Sequence, residues 1–213
     1  MANPAYIDSD GVLTNTEAWV ALASSEFGSS ATACVFTDPS DGSSLDWCQF
    51  LDLVLICYMR TDYASVSDHG RLYVGPRGGS TYTGAANYAM QRLYAYAGGV
   101  NANRNGTSGH ALGELECAGG NSPANVFGVS IVELYDINSG KYKTSMVQSA
   151  IDGWDTGTAN SSGWAHMQSN VWKSQEAIGR IDIRPGGGSN FVQYSRFDLF
   201  GVLPSMLATG TVT

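Results

Sequence analysis

The feature that most constrains this chain is a two-residue alternation of apolar and polar side chains, recurring along most of its length and cut by turn residues. Successive side chains of a strand point to opposite faces, so period two specifies β structure where period 3.6 would specify helix. Ala31–Thr37 alternates in this way and runs into Asp38-Pro39-Ser40-Asp41-Gly42, a tight turn. Phe50–Met59 is rich in Leu, Val and Ile and reads as a central strand buried on both faces. Arg71-Leu72-Tyr73-Val74 is a short strand ended by the loop Gly75-Pro76-Arg77-Gly78-Gly79. Asn87–Tyr96 sets Tyr88, Met90, Arg92, Tyr94 and Tyr96 on one face; that spacing fits a strand, while its Ala, Met, Gln and Leu content also suits a helix.

Further along, Gly98–Gly109 has the composition of a long surface loop. Phe127–Tyr135, the turn Asp136–Gly140 and Lys141–Ala150 read as a hairpin. Trp164–Ser174 alternates through Trp164, His166, Gln168, Asn170 and Trp172, with His166 expected to face outward. Ala177–Arg184 carries Ile181 and Ile183 on one face, Gly186–Asn190 turns, and Ser195–Leu203 closes with Phe197, Leu199, Gly201 and Leu203 aligned. Thr14-Asn15-Thr16-Glu17 before Ala18–Leu22 has the form of a capping box, which predicts one short N-terminal helix. About nine or ten strands separated by turns predict an all-β chain folded as an antiparallel β-sandwich. The expected division is an N-terminal arm over 1–28, the sandwich over 29–203 and a C-terminal tail over 204–213.

Composition narrows the function classes. A net charge of −8, with only three lysines (Lys141, Lys143, Lys173), provides no basic cluster to neutralise phosphates, so no nucleic-acid partner is expected. No basic amphipathic stretch suits a membrane surface, and the longest apolar run, Leu53–Met59, is too short to span a bilayer. The N-terminus has neither a charged nor an apolar signal region, so no secretory leader is expected. Cys34, Cys48, Cys57 and Cys117 lack C-x-x-C spacing and read as reduced, buried thiols; Cys34 could pair with Cys48 or Cys57 only if strands brought them together.

The motifs of catalysis are missing. His69, in a Ser-Asp-His-Gly loop, His110 and His166 show no metal-ligand spacing, and no metal or cofactor is expected. Gly106-Thr107-Ser108-Gly109-His110 lacks the last glycine of a nucleophile elbow, and Gly140-Lys141-Tyr142 is no phosphate loop. Glycoside hydrolysis needs two carboxylates held close together, and Asp52, Glu114, Glu116, Glu133 and Asp182 are the candidates in β segments. Glu114 and Glu116 share a strand face roughly 7 Å apart, a pattern that a solvated strand face also produces. The expectation is therefore a protein that is not an enzyme. Trp154, Trp164, Trp172, Tyr82, Tyr88, Tyr94 and Tyr96 could stack on sugars; core or subunit contact is the expected role of Trp164 and Trp172, and Tyr82 and Trp154, in Gly/Ser/Thr-rich loops, are the candidate partner or glycan contacts.

One set of segments is more specific: Lys141-Tyr142-Lys143-Thr144 after an Ile-Val-Glu-Leu-Tyr-Asp strand, Ala177–Ile183, and Asn190-Phe191-Val192-Gln193-Tyr194-Ser195-Arg196-Phe197-Asp198-Leu199-Phe200-Gly201-Val202. Together they resemble a pattern of tailed-bacteriophage virion proteins, jelly-roll β-sandwiches found as capsid decoration (cement) subunits, head fibres and tail modules. The resemblance covers residues 126–203 and departs from the pattern at Phe200, where tyrosine is usual. It implies a jelly-roll-like structural subunit on the outer capsid surface, a homotrimer whose partners are the major capsid protein and its own copies. The alternative it implies is a tail, fibre or baseplate module that binds host surface glycans.

Overall fold

The computed structural model describes residues 6–7, 13–14, 19–96, 99–105, 111–151 and 163–203. Among them are fourteen strands, two single 3-10 turns and no α-helix. In chain order the strands are β1 (Tyr6–Ile7), β2 (Leu13–Thr14), β3 (Trp19–Glu26), β4 (Cys34–Thr37), β5 (Asp52–Met59), β6 (Ser67–Pro76) and β7 (Tyr88–Tyr96). They continue with β8 (Gly99–Asn105), β9 (Gly113–Ala118), β10 (Gly128–Tyr135), β11 (Lys143–Ile151), β12 (Trp164–Trp172), β13 (Ile178–Pro185) and β14 (Arg196–Val202).

Two antiparallel sheets pack as a jelly-roll-like sandwich, because the chain passes repeatedly from one to the other. The larger sheet has eight strands in the order β3-β14-β5-β10-β11-β12-β7-β8, the smaller four in the order β4-β13-β6-β9. Leu53, Leu55, Cys57 and Met59 of β5 and Phe197 and Leu199 of β14 share one buried cluster with Phe36, Leu72, Val74, Ile181 and Ile183 of the smaller sheet. Each such side chain contributes about 1.5–3 kcal/mol by leaving water. β5 lies between β14 and β10 in the larger sheet, but it is not buried on both faces as expected: Leu53, Leu55, Cys57 and Met59 face the core, whereas Tyr58 on the outer face is 46% exposed.

Several expectations are corrected. Trp19–Glu26, expected within an N-terminal arm and partly as a helix, is the edge strand β3, paired with β14 from Trp19↔Val202 to Glu26↔Arg196. An available sheet edge and the packing of Leu22 on the core override the local capping signal. Gly99–Asn105, expected as loop, pairs along β7 as the edge strand β8, so backbone bonding outweighs its asparagine- and glycine-rich composition. His69 lies in β6 rather than in a loop. The Ile181/Ile183 strand and the closing Phe197/Leu199 strand, expected side by side as one sheet's inward face, belong to opposite sheets and meet across the core.

The most informative correction concerns β12. His166, Gln168, Asn170 and Trp172 are its buried face, at 6%, 1%, 0% and 1% exposure, and Met167 on the other face is 47% exposed. The polar residues are inside because the free edge of β9 needs them. β9 pairs with β6 along one edge only. Along the other, Gln168 Oε1 accepts from the Glu114 N–H (3.1 Å) and Gln168 Nε2 donates to the Glu114 carbonyl (2.9 Å). The Glu116 N–H donates to Ser149 Oγ (2.7 Å), and Ser145 Oγ donates to the Leu112 carbonyl (2.6 Å) while accepting from Asn170 Nδ2 (3.1 Å). Inward side chains of β11 and β12 thus take the place of a missing strand. Glycine permits the approach: a Cβ on Gly128 would lie 2.1 Å from the Glu116 carbonyl oxygen.

Loops are tied down by charge. Asp38 Oδ2 lies 2.6 Å from Arg77 Nε, and its Oδ1 accepts from the Trp47 N–H (2.9 Å). Arg60 donates to the carbonyls of Pro123 (2.7 Å), Ser122 (2.8 Å), Val126 (3.1 Å) and Gly120 (3.3 Å), pinning that loop without an acidic partner.

Two outcomes follow. Gln168→Leu should cost about 1–3 kcal/mol, because it leaves the Glu114 N–H without its partner and the Glu114 carbonyl with His166 Nε2 (3.0 Å) alone; a denaturant titration matching the wild type would refute the edge-capping role. The cysteines also give a pH signature. All four are free, with Cys34, Cys57 and Cys117 buried and Cys48 exposed, contrary to the expectation that all are buried. Burial pushes the Cys34 thiol up to about 12 from its ordinary 9.0, and pushes Cys57 and Cys117 well up as well. The unfolded chain loses these protons first as pH rises, so their contribution is whole below about pH 9 and declines above it. Lys143, lowered by burial, works in the opposite direction as pH approaches 10.5. Unfolding free energy should therefore fall above pH 9, and a thiol reagent at neutral pH should label Cys48 alone until denaturant is added.

Candidate functional site

Two surfaces of the larger sheet depart from an ordinary solvated face. On its outer side, strand register aligns Ile56, Ile131, Gln148, Met167, Leu93 and Ala102 in one row across six strands. The neighbouring row is Tyr58, Val129, Ala150, Ala165, Ala95 and Val100. Neither row holds a charge. Val100 is 73% exposed, Leu93 56%, Met167 47% and Tyr58 46%. Five inter-strand spacings make the rows about 24 Å long.

The second surface is on the inner side, where eight strands outreach four. Burial fades along β7 from Tyr88 at 0% and Met90 at 5% to Tyr96 at 40% exposure. Trp164, at the start of β12, is half-buried over the same corner. Its ring centroid lies 4.1 Å from Tyr96 at 22° and 5.5 Å from Tyr94 at 26°, so the three aromatics are stacked and largely cover one another's faces. Beside it is a cleft of about 260 Å³ lined by Tyr63, Asp68, His69, Arg92, Glu114 and Glu116 together with Trp164.

The polar groups of this cleft are held from behind. Arg92 Nη1 donates to Glu114 Oε2 (2.5 Å), and its guanidinium sits 4.8 Å over the Tyr94 ring. Buried Glu116 places Oε1 2.9 Å from His166 Nδ1, an ion-pair distance whose N–H direction misses the hydrogen-bond line. Asp68 accepts from Thr61 Oγ1 (2.9 Å), Ser189 Oγ (2.8 Å) and the His69 N–H (2.8 Å), so it orders the cleft's rim.

The residues named from sequence are scattered by this geometry. Glu114 and Glu116 do meet at one cleft, each with a basic partner. Asp52, Glu133 and Asp182 are not among its lining residues. Tyr82 is 37% exposed and lies near Trp172, the far end of β12 from Trp164. Its hydroxyl donates to Glu176 Oε2 (3.0 Å), which raises its pKa. Trp154 and His110 lie outside the described residues. Arg92, His69 and Tyr63 were not singled out as a site by sequence, whereas Trp164, Tyr94 and Tyr96 were among the aromatics weighed for sugar stacking; the structure stacks these three on one another. Among the described residues, no three His, Cys, Asp or Glu side chains are grouped as metal ligands.

No family model and no curated protein matches the sequence. Among solved structures, the CBM40 of a Ruminococcus gnavus IT-sialidase, bound to alpha2,6 sialyllactose, is similar over 87% of this chain and 96% of its own, at 16% identity and a TM-score of 0.29. A likeness that slight bears on neither fold nor ligand.

Proposed function

We propose that this chain is a structural subunit of a tailed-bacteriophage virion, a capsid decoration subunit whose outer sheet face docks on neighbouring coat subunits. The observation that carries the docking role is the pair of uncharged rows running from Ile56 and Tyr58 to Ala102 and Val100. Leu93, Met167, Val129, Ile131 and Val100 are exposed together as one contiguous uncharged face, the kind of surface that marks a contact with other protein. The phage setting rests on the sequence resemblance of residues 126–203. The neighbours are the major capsid protein and other copies of this chain, in a closed ring of three. The half-exposed edge strand β3 suits that ring, because a long unpaired edge invites uncontrolled association unless a neighbour covers it.

A subunit that binds only the assembled shell stabilises it by mass action, about 2.7 kcal/mol per site at one hundred times Kd. Shells stripped of the protein should burst at lower temperature, and adding back wild type should restore them. A Leu93→Lys/Met167→Lys variant, changed only on the exposed face, should fold normally and fail to restore them. Equal burst temperatures with and without the wild-type protein would remove the decoration role; full restoration by the double variant would remove the docking face.

A further inference from the structure

We infer that the cleft lined by Asp68, Glu114, Glu116 and Arg92 is a binding site for one primary ammonium group carried on an alkyl chain. The site lies apart from the outer rows, and the inference does not rest on their docking.

The observation that points to a ligand is Glu116. It is 5% exposed and lines the cleft, yet among the described residues no group donates a hydrogen bond to either of its carboxylate oxygens. Its one close polar contact is His166 Nδ1, 2.9 Å from Oε1 and off the hydrogen-bond line. That histidine is not a cation. Gln168 Oε1 takes the Glu114 N–H, which makes Gln168 Nε2 the donor: one proton goes to the Glu114 carbonyl, the other to His166 Nε2 at 2.7 Å. With Gln168 in place His166 Nε2 must accept, and an imidazole that accepts at one nitrogen is neutral. His69 is neutral by the same argument, since Arg71 Nη2, which can only donate, lies 3.4 Å from its Nε2. Arg92 is thus the one cation lining a cleft that holds three carboxylates, and it is spent on Glu114. A carboxylate buried without a counter-charge is costly until a cation reaches it, and the cleft is the route by which one can.

The remaining acceptors decide which cation. Asp68 has both oxygens occupied, by Thr61 and Ser189 on Oδ2 and by the His69 N–H on Oδ1. Glu114 has given Oε2 to Arg92, and Oε1 of Glu116 faces His166. Glu114 Oε1 and Glu116 Oε2 are left, single oxygens on different residues. A guanidinium is held best by both oxygens of one carboxylate, whereas an ammonium has three divergent N–H donors and takes single oxygens. A metal ion would need a denser donor set, and among the described residues no three His, Cys, Asp or Glu side chains are so grouped. Tyr63 and Trp164 add ring carbons to the wall, which suits a methylene stem behind the charged head. At about 260 Å³ the cleft falls below the ~300–1,000 Å³ of drug-sized pockets and suits one such chain.

An amide NMR titration of the full chain tests the assignment, with n-butylammonium and Nα-acetyl-lysine methylamide as probes and tetramethylammonium and Nα-acetyl-arginine methylamide as controls. At least one primary ammonium should bind in the millimolar range and shift the Glu114 and Glu116 amides. Tighter binding of the lysine derivative would assign the site to a protein lysine, and tighter binding of butylammonium to a free amine. Glu116→Gln should weaken binding about tenfold or more, the loss of one charge-assisted hydrogen bond. It should also keep or raise Tm, because it removes a buried charge and strips no partner. Glu114→Gln, at a more accessible position, should weaken binding in the same direction. Absence of binding by both ammonium probes, equal binding of either control, or unchanged affinity in both variants would each overturn the inference.

Discussion

The structure depends on how the unpaired edge of β9 is satisfied. A four-stranded sheet laid on an eight-stranded one leaves that edge inside the molecule, where its N–H and carbonyl groups cannot use water. The solution is to let Ser145, Ser149, Gln168 and Asn170 project from the larger sheet and act as the missing strand. The bidentate Gln168 amide reproduces for Glu114 what a neighbouring peptide would supply. This requirement fixes the orientation of β11 and β12, and a slip of one residue would send the whole ladder to the outer surface.

Once the polar faces of β11 and β12 are committed inward, their other faces must carry what remains. On β12 that is Ala165, Met167, Ser169 and Val171, and the register continues the same character into β7 and β10. The exposed apolar rows are therefore tied to the internal edge, since the strands cannot be turned over without stripping β9 of its partners. The unequal strand count has a second effect. The smaller sheet runs out before β8, leaving the Trp164 corner uncovered on its inner side.

Most of the strands were legible in the sequence because period two is a backbone property. The Phe50–Met59, Phe127–Tyr135 and Lys141–Ala150 segments appear close to their expected bounds as β5, β10 and β11. What was not legible is which face of a strand points inward. For β5 and β14 apolar residues face the core, as hydrophobicity dictates. For β12 the rule reverses, because the demand for hydrogen-bond partners comes from β9, some fifty residues away (Glu114 and Gln168 are separated by 54 positions). The paired carboxylates of β9 could be named as candidates, but their partners Arg92 and His166 come from β7 and β12. Tyr82, chosen for its loop, is instead spent on Glu176 and Trp172.

The overhanging corner also ranks the stability of its parts. β8 has one neighbour, β7, and no sheet beneath it, so its order rests on one ladder of backbone bonds. A two-stranded ribbon is marginal in water by itself. Its inner side is reinforced by the rings of Trp164, Tyr94 and Tyr96, whereas its outer side presents Val100 and Leu93 to solvent. On the proposed contact a neighbouring subunit would cover those two side chains, each contributing about 1.5–3 kcal/mol on full burial before the cost of association. That gain is large relative to a single ladder and small relative to the core. Docking would accordingly stiffen β8 and the end of β7 far more than β5 or β14, and through Tyr94 and Tyr96 it would order the aromatic stack with Trp164 on the other side of the same strands.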